Sequence, residues 1–299
     1  MNLNFLLDSG LLGLEYAMLA LGVYITFRIL NIPDLTVDGS FTFGLAVSAV
    51  FAAGGHPFLG LLMALLAGAV AGCVTGLLQT RWGIHPILAG ILTMSGLYTI
   101  NITVMGSPNI SLINSNKFFT FLEDALTKDG ARYLTVGVIV LLCVGLLALF
   151  FKTSLGLCIR ATGNNEAMVR ASSINPNFTK MVALALSNGL VALSGGVLAQ
   201  CQGYADINSG SGMIVIGLAS VIIGEVFFGR RSMLLCLISA VVGSVVYRII
   251  IALALQLDLF DANALKLISA VIVAVTLAVP AFKTRFQNWR TRREAGKHA

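Results

Sequence analysis

Apolar residues fall in long continuous runs broken by short clusters of charge, Gly, Pro and Asn. Nine windows stand out: 11–28, 40–53, 59–79, 86–104, 132–151, 180–199, 213–228, 233–255 and 263–282. A bilayer-crossing helix needs about 20 predominantly apolar residues, so each window predicts a transmembrane helix. The second is short, and Pro33, Asp34 and Asp38 stand just before it, so it is read as half of a broken helix or a re-entrant segment. The pattern predicts an all-α polytopic transmembrane bundle of about 8–10 spans with one broken or re-entrant helix. Continuous runs without alternation exclude a β-barrel.

Composition supports this reading. The chain has 299 residues, 57% hydrophobic and 11% charged, against about 25% charged in soluble domains. A soluble enzyme, a disordered chain and a collagen-like fibre are excluded. Of the 31 glycines, several lie inside the windows beside Ala and Ser, where small residues let helix backbones approach closely. The first basic residue, Arg28, follows the first apolar run, so no cleavable leader is expected. The formal charge of +6 is read as cytoplasmic loop charge and not as nucleic-acid binding.

Basic residues orient the set. Lys283, Arg285, Arg290, Arg292, Arg293 and Lys297 follow the last window; Lys152, Arg160, Arg170 and Lys180 lie between the fifth and sixth; Arg230 and Arg231 separate the seventh and eighth. Alternation puts these on one side with Arg28 and Arg81, and Asp8, Glu123, Asp124, Asp129, Asp206, Asp258 and Asp261 on the other. The positive-inside rule makes the first side cytoplasmic and the N-terminus external. Residues 1–282 are expected to form one membrane domain, with a cytoplasmic loop at 152–179 and a basic cytoplasmic tail at 283–299.

Chemistry-bearing groupings are few. The five cysteines are isolated and read as small hydrophobes. His56, His85 and His298 show no metal spacing, and no GxxxxGK[ST] run is present to hold nucleotide phosphates. No catalytic grouping is seen, and energy input is expected from another chain. Charges inside or at the edges of the windows include Glu15, Glu225 and Arg248. Burying a lone charge costs about 2.5–3.5 kcal/mol on insertion scales, so Glu15 and Glu225 are expected to snorkel to the interfaces. Arg248 is expected to face the bundle interior. Asp34 is read either as a helix cap or as part of a gate with Asp38, and neither acid needs to be buried if the loop touches cytoplasm.

The loop 152–179 is the most informative segment. Asn164 is expected to cap a helix of two to three turns with Glu166 in its first turn. Ala167, Ala171 and Ile174 share one face, and Pro176 marks the end. Such a helix either lies on the membrane surface or docks in a partner's groove.

The run Arg160-Ala161-Thr162-Gly163-Asn164-Asn165-Glu166-Ala167-Met168-Val169-Arg170-Ala171-Ser172-Ser173-Ile174-Asn175 resembles the coupling segment of ABC importer permeases of the branched-chain amino acid and ribose type. That family typically shows Arg-Ala-x-Gly-x-Asn-x-x-Ala-x-x-x-x-Gly-Ile, and Ser173 departs from it. Asn31-Ile32-Pro33-Asp34-Leu35-Thr36-Val37-Asp38-Gly39-Ser40 is similar to a stretch after an early span of the same family. In its Pro-Asp-Leu-Thr-Val-Asp-Gly form it looks most like permeases that accompany amino-acid or aromatic-amino-acid binding lipoproteins. The resemblance implies docking of the coupling segment (Arg160, Gly163, Asn164, Glu166, Ala167, Arg170, Ala171, Ile174) on a cytoplasmic ATPase dimer that carries ATP and Mg. It also implies an extracytoplasmic solute-binding protein, a second permease copy and a bacterial cell-membrane location. Asp34, Asp38 and Arg248 are the candidates for the translocation path. Two other classes stay open at this point: an ion-coupled secondary transporter and a non-transporting membrane scaffold.

Overall fold

The computed structural model describes residues 3–113, 115–123, 127–229 and 232–256, with 271 and 274. The ninth window, the basic tail, Arg230 and Arg231 lie outside the described residues, Val271 and Ala274 apart. The helices are α1 (Leu3–Glu15), α2 (Ala17–Tyr24), α3 (Thr36–Ala53), α4 (Pro57–Thr80), α5 (Pro86–Met105), α6 (Lys128–Phe150), α7 (Ser154–Asn164), α8 (Glu166–Ala171), α9 (Pro176–Gln202), α10 (Met213–Phe228) and α11 (Met233–Gln256). Among the described residues, seven apolar helical stretches are long enough to cross a membrane, with α1, α2 and the π-helical turn Ile25–Ile29 running as one.

Local sequence sets the ends. Pro57, Pro86 and Pro176 each open a helix at its first turn, where the missing N–H would have had no partner. Gly106 and Gly203 close α5 and α9 in the left-handed conformation. A two-stranded antiparallel pairing of Asn109–Ser111 with Tyr204–Asp206 ties these two ends together.

The second window is not half a helix. α3 is continuous over 18 residues, because Asp38 sits inside its first turn with its charge met by another helix. The break lies before it, at residues 30–35, where Asp34 is bonded to Asn188 near the middle of the 27-residue α9. The short element is α10, whose 16 residues span about 24 Å, less than a hydrocarbon core of about 30 Å.

α9 is the spine. Gly68, Gly72 and Gly76 of α4 lie against Asn188 and Ala192, Leu184, and Met181 of α9, and Gly44 of α3 lies against Ala192. Polar side chains of α9 then bond across: Ser187 donates to the Gly22 carbonyl (2.7 Å), Ser194 to the Glu15 carbonyl (2.6 Å) and Gln200 Nε2 to Ser48 Oγ (2.9 Å). In lipid, close packing and such interhelical hydrogen bonds replace the hydrophobic drive.

One expectation fails. Glu15 does not snorkel: its side chain is 0% exposed and paired with Arg132 at 2.8 Å, a cation from a distant helix that removes the reason to do so. Glu225, in the last turn of α10, is paired with Arg28.

Candidate coupling elbow and membrane cavity

α7 and α8 meet at Asn165, which is extended at φ −158° and ψ 98°. Its side chain accepts from the Met168 amide at 3.1 Å, so the capping residue is Asn165. The expected cap, Asn164, is instead the last residue of α7. Both residues suit a cap; packing decides. A Cβ on Gly163 would land on the Ile29 carbonyl oxygen, so α7 stays helical up to its contact with the π-helical turn. Asn31 Nδ2 donates to the Gly163 carbonyl at 3.3 Å.

α8 is shorter than expected, at six residues, and Ile174 lies outside it. The Ile174 amide donates to Val169 O at 3.2 Å and the Ser173 amide to Arg170 O at 3.3 Å, the paired bonds of a Schellman ending with Ser173 in the left-handed position. Ser173 has φ +59°, where a β-carbon is penalised by about 1–2 kcal/mol. The family pattern places Gly here. Ser173→Gly should therefore raise stability by about 0.5–1 kcal/mol after the entropic cost of Gly. It is read as a higher melting midpoint or slower exchange of the Ile174 amide; a loss of stability would rule out this turn.

The single buried residue of α8 is Val169. Ala167, Arg170 and Ala171 are exposed and Ile174 is half-buried, so the expected face of Ala167, Ala171 and Ile174 is split. The two alanines point away from the bundle and, with Glu166 and Arg170, line an open hollow. Glu166 bonds to Arg170 (3.1 Å) and Lys180 (2.6 Å). The Lys180 hydrogen bond holds its carboxyl below the usual carboxylate range, so the elbow stays tied to α9 at neutral pH. Arg160 is exposed and lines a cavity of about 210 Å³ with Arg28 and Asn164.

Deeper in the bundle, Asp34 is buried. Its Oδ1 accepts from the Thr36 amide (2.9 Å) and its Oδ2 from Asn188 Nδ2 (2.7 Å). One carboxylate thus takes the first amide of α3 and ties it to α9. Asp38 accepts from the amides of Gly212 (3.0 Å) and Ile214 (2.9 Å), so it caps α10 from another helix, where the dipole favours an anion. Arg248 faces inward, its guanidinium carbon 3.9 Å from the Tyr16 ring centroid, a cation–π distance.

Of the three path candidates only Asp38 lines the cavity of about 450 Å³ between α3, α5 and residues 207–211, with Thr42, Met94, Ser95, Tyr98, Asn101 and Asn208 among the walls. These wall residues and the buried hydroxyl string Thr36–Thr75–Thr93 (2.9 and 3.0 Å) carry no sequence signal, because the cavity is assembled from segments far apart in the chain.

The fold is that of a multi-pass membrane protein whose longest loop is folded into an exposed, capped elbow. The chain belongs to the family described as branched-chain amino acid transport system / permease component, whose model matches residues 5–280. It is the permease component of an ABC importer. It is 38% identical over 267 residues to a tyrosine transport system permease protein of Clostridioides difficile, covering 89% of this chain and 88% of that one. It is 25% identical to a probable branched-chain amino acid transport permease protein of Methanocaldococcus jannaschii, covering 69% of each. It is 26% identical to a ribose import permease protein of Haemophilus influenzae, covering 70% of this chain and 64% of that one. No solved structure matches the chain.

Proposed function

We propose that this permease imports an amino acid, an aromatic one by preference, and that the α7–α8 elbow is where a cytoplasmic ATPase dimer drives it. The observation that carries the reading is the 38% identity, over nearly the full length, to a tyrosine permease. The elbow adds a mechanical argument. Its exposed alanines present a small apolar patch rimmed by Glu166 and Arg170, suited to a groove in a partner. Gly163 and the Glu166–Lys180 bond fix the elbow rigidly to the first span and to α9, so a displacement there passes to the spine of the bundle.

In this scheme ATP and Mg are held by the partner, and nucleotide affinity that differs between two states supplies the bias. An extracytoplasmic binding protein delivers the solute, two permease copies form the passage, and residues 1–282 act as one domain in a bacterial plasma membrane. The end carrying Arg28, Arg81, Arg160 and Arg170 is cytoplasmic, as is the tail 283–299, and the N-terminus is external. Against an ion-coupled mechanism, Glu15, Asp34, Asp38 and Glu225 are each engaged by protein groups.

The test is uptake into proteoliposomes holding the permease with an ABC ATPase and a solute-binding protein from the same cell. Tyrosine should accumulate only with internal-face ATP and all three components present. Accumulation by the permease alone on an ion gradient would overturn the proposal.

A further inference from the structure

The cavity bounded by α3, α5 and the 207–211 turn has a one-sided chemistry. Its volume of about 450 Å³ falls within the range of small-molecule sites. Among the described residues, no Lys, Arg or His lines it. Its wall holds the Asp38 carboxylate, whose oxygens each take one backbone amide and retain lone pairs for further donors.

Asn101 supplies the second, independent observation. It is 1% exposed, its Nδ2 is held by the Gly39 carbonyl at 3.3 Å, and its Oδ1 has no hydrogen-bond partner. A buried acceptor without a donor is costly, and native structures leave few of them unexplained. A ligand bringing N–H groups would satisfy it. The apolar part of the wall is Met94 and the well-exposed ring of Tyr98, a face that takes either an aromatic ring or an ammonium group.

We propose that this cavity is a transit subsite within the permease that selects solutes carrying a protonated amine. The ammonium group sits between Asp38 and Asn101 Oδ1, and the side chain lies on Tyr98. The carboxylate of an amino acid must then point away from Asp38, and a second carboxylate is repelled, so acidic amino acids are excluded. The buried hydroxyls of Thr36, Thr75 and Thr93 join α3, α4 and α5. The proposal rests on the amino-acid reading above and adds a selectivity filter to the permease itself.

The experiment uses the complete reconstituted importer and tyrosine as the probe, with ATP hydrolysis measured in parallel. Asn101→Leu removes the open acceptor while keeping volume. It should lower tyrosine uptake per ATP hydrolysed by about tenfold, the scale of one charge-assisted hydrogen bond, with hydrolysis unchanged. Because the Gly39 bond is also lost in Asn101→Leu, Ser95→Phe serves as a second variant: it fills the cavity without touching that bond and should lower uptake to the same degree. Uptake at the wild-type level in both Asn101→Leu and Ser95→Phe would overturn the subsite. Absence of tyrosine uptake by wild type, with another solute transported, strikes the amino-acid reading instead.

Discussion

Replacing Gly72 by leucine should collapse the bundle. A Cβ at this position would sit on the Leu184 carbonyl oxygen and against the Ala185 Cα, so every obstacle is backbone and no flexible side chain can yield. α9 cannot withdraw either, because Ser187 and Asn188 bond it to Gly22 and Asp34 within one turn of Leu184. Overpacking costs about 1–3 kcal/mol or more, and a whole leucine in a backbone contact falls at or above the top of that range. Roughly 3 kcal/mol corresponds to about 6–12 °C in melting midpoint. Purified in detergent, Gly72→Leu should melt that much lower or fail to give a monodisperse peak. Gly96→Leu is the control, since a Cβ there meets nothing within 4 Å, and it should stay within about 2 °C of wild type. Equal behaviour of the two variants would mean that α4 and α9 do not pack through these glycines.

The spans were readable because a bilayer imposes one length and one polarity on whatever crosses it. The elbow was readable because helix caps act over a few neighbours: an Asn cap, then Glu in the first turn; the left-handed ending at Ser173, before Ile174, was not. Its register slipped by one residue at Asn164 and Asn165, since two equal caps are separated only by the tertiary contact of Gly163 with Ile29. The acids were harder. Asp38 stops the apolar run of the second window, yet α3 passes through it, because its charge is taken up by Gly212 and Ile214 at the start of α10. Glu15 and Arg132 lie 117 positions apart, and Arg28 and Glu225 lie 197 apart. Such pairs leave no periodic trace. The cavity behind Asn101 belongs to the same kind: its wall mixes polar and apolar positions of α3 and α5 with residues of the 207–211 turn, and only their packing gives them a common space.

Charging the elbow's outer face should disconnect ATP hydrolysis from transport. Ala167 and Ala171 are exposed on α8, while its buried anchor is Val169. Glutamates at both alanines therefore leave the Asn165 cap, the Glu166–Lys180 bond and the packing on α9 in place. The free permease should melt within about 1 kcal/mol of wild type, as surface substitutions do. In the assembled importer the same carboxylates would enter a partner groove without cations to meet them, and burying an unpaired charge costs several kcal/mol. Even 2.7 kcal/mol of lost docking is about a hundredfold in affinity, so Ala167→Glu with Ala171→Glu should reduce uptake by about that factor, with ATPase activity no longer stimulated by loaded binding protein. Val169→Glu serves as the opposite control: it should unfold the elbow and lower the melting midpoint of the permease alone. If the double alanine variant transports at the wild-type rate, the motor engages some other surface and α8 is only a stiffened turn at the membrane boundary.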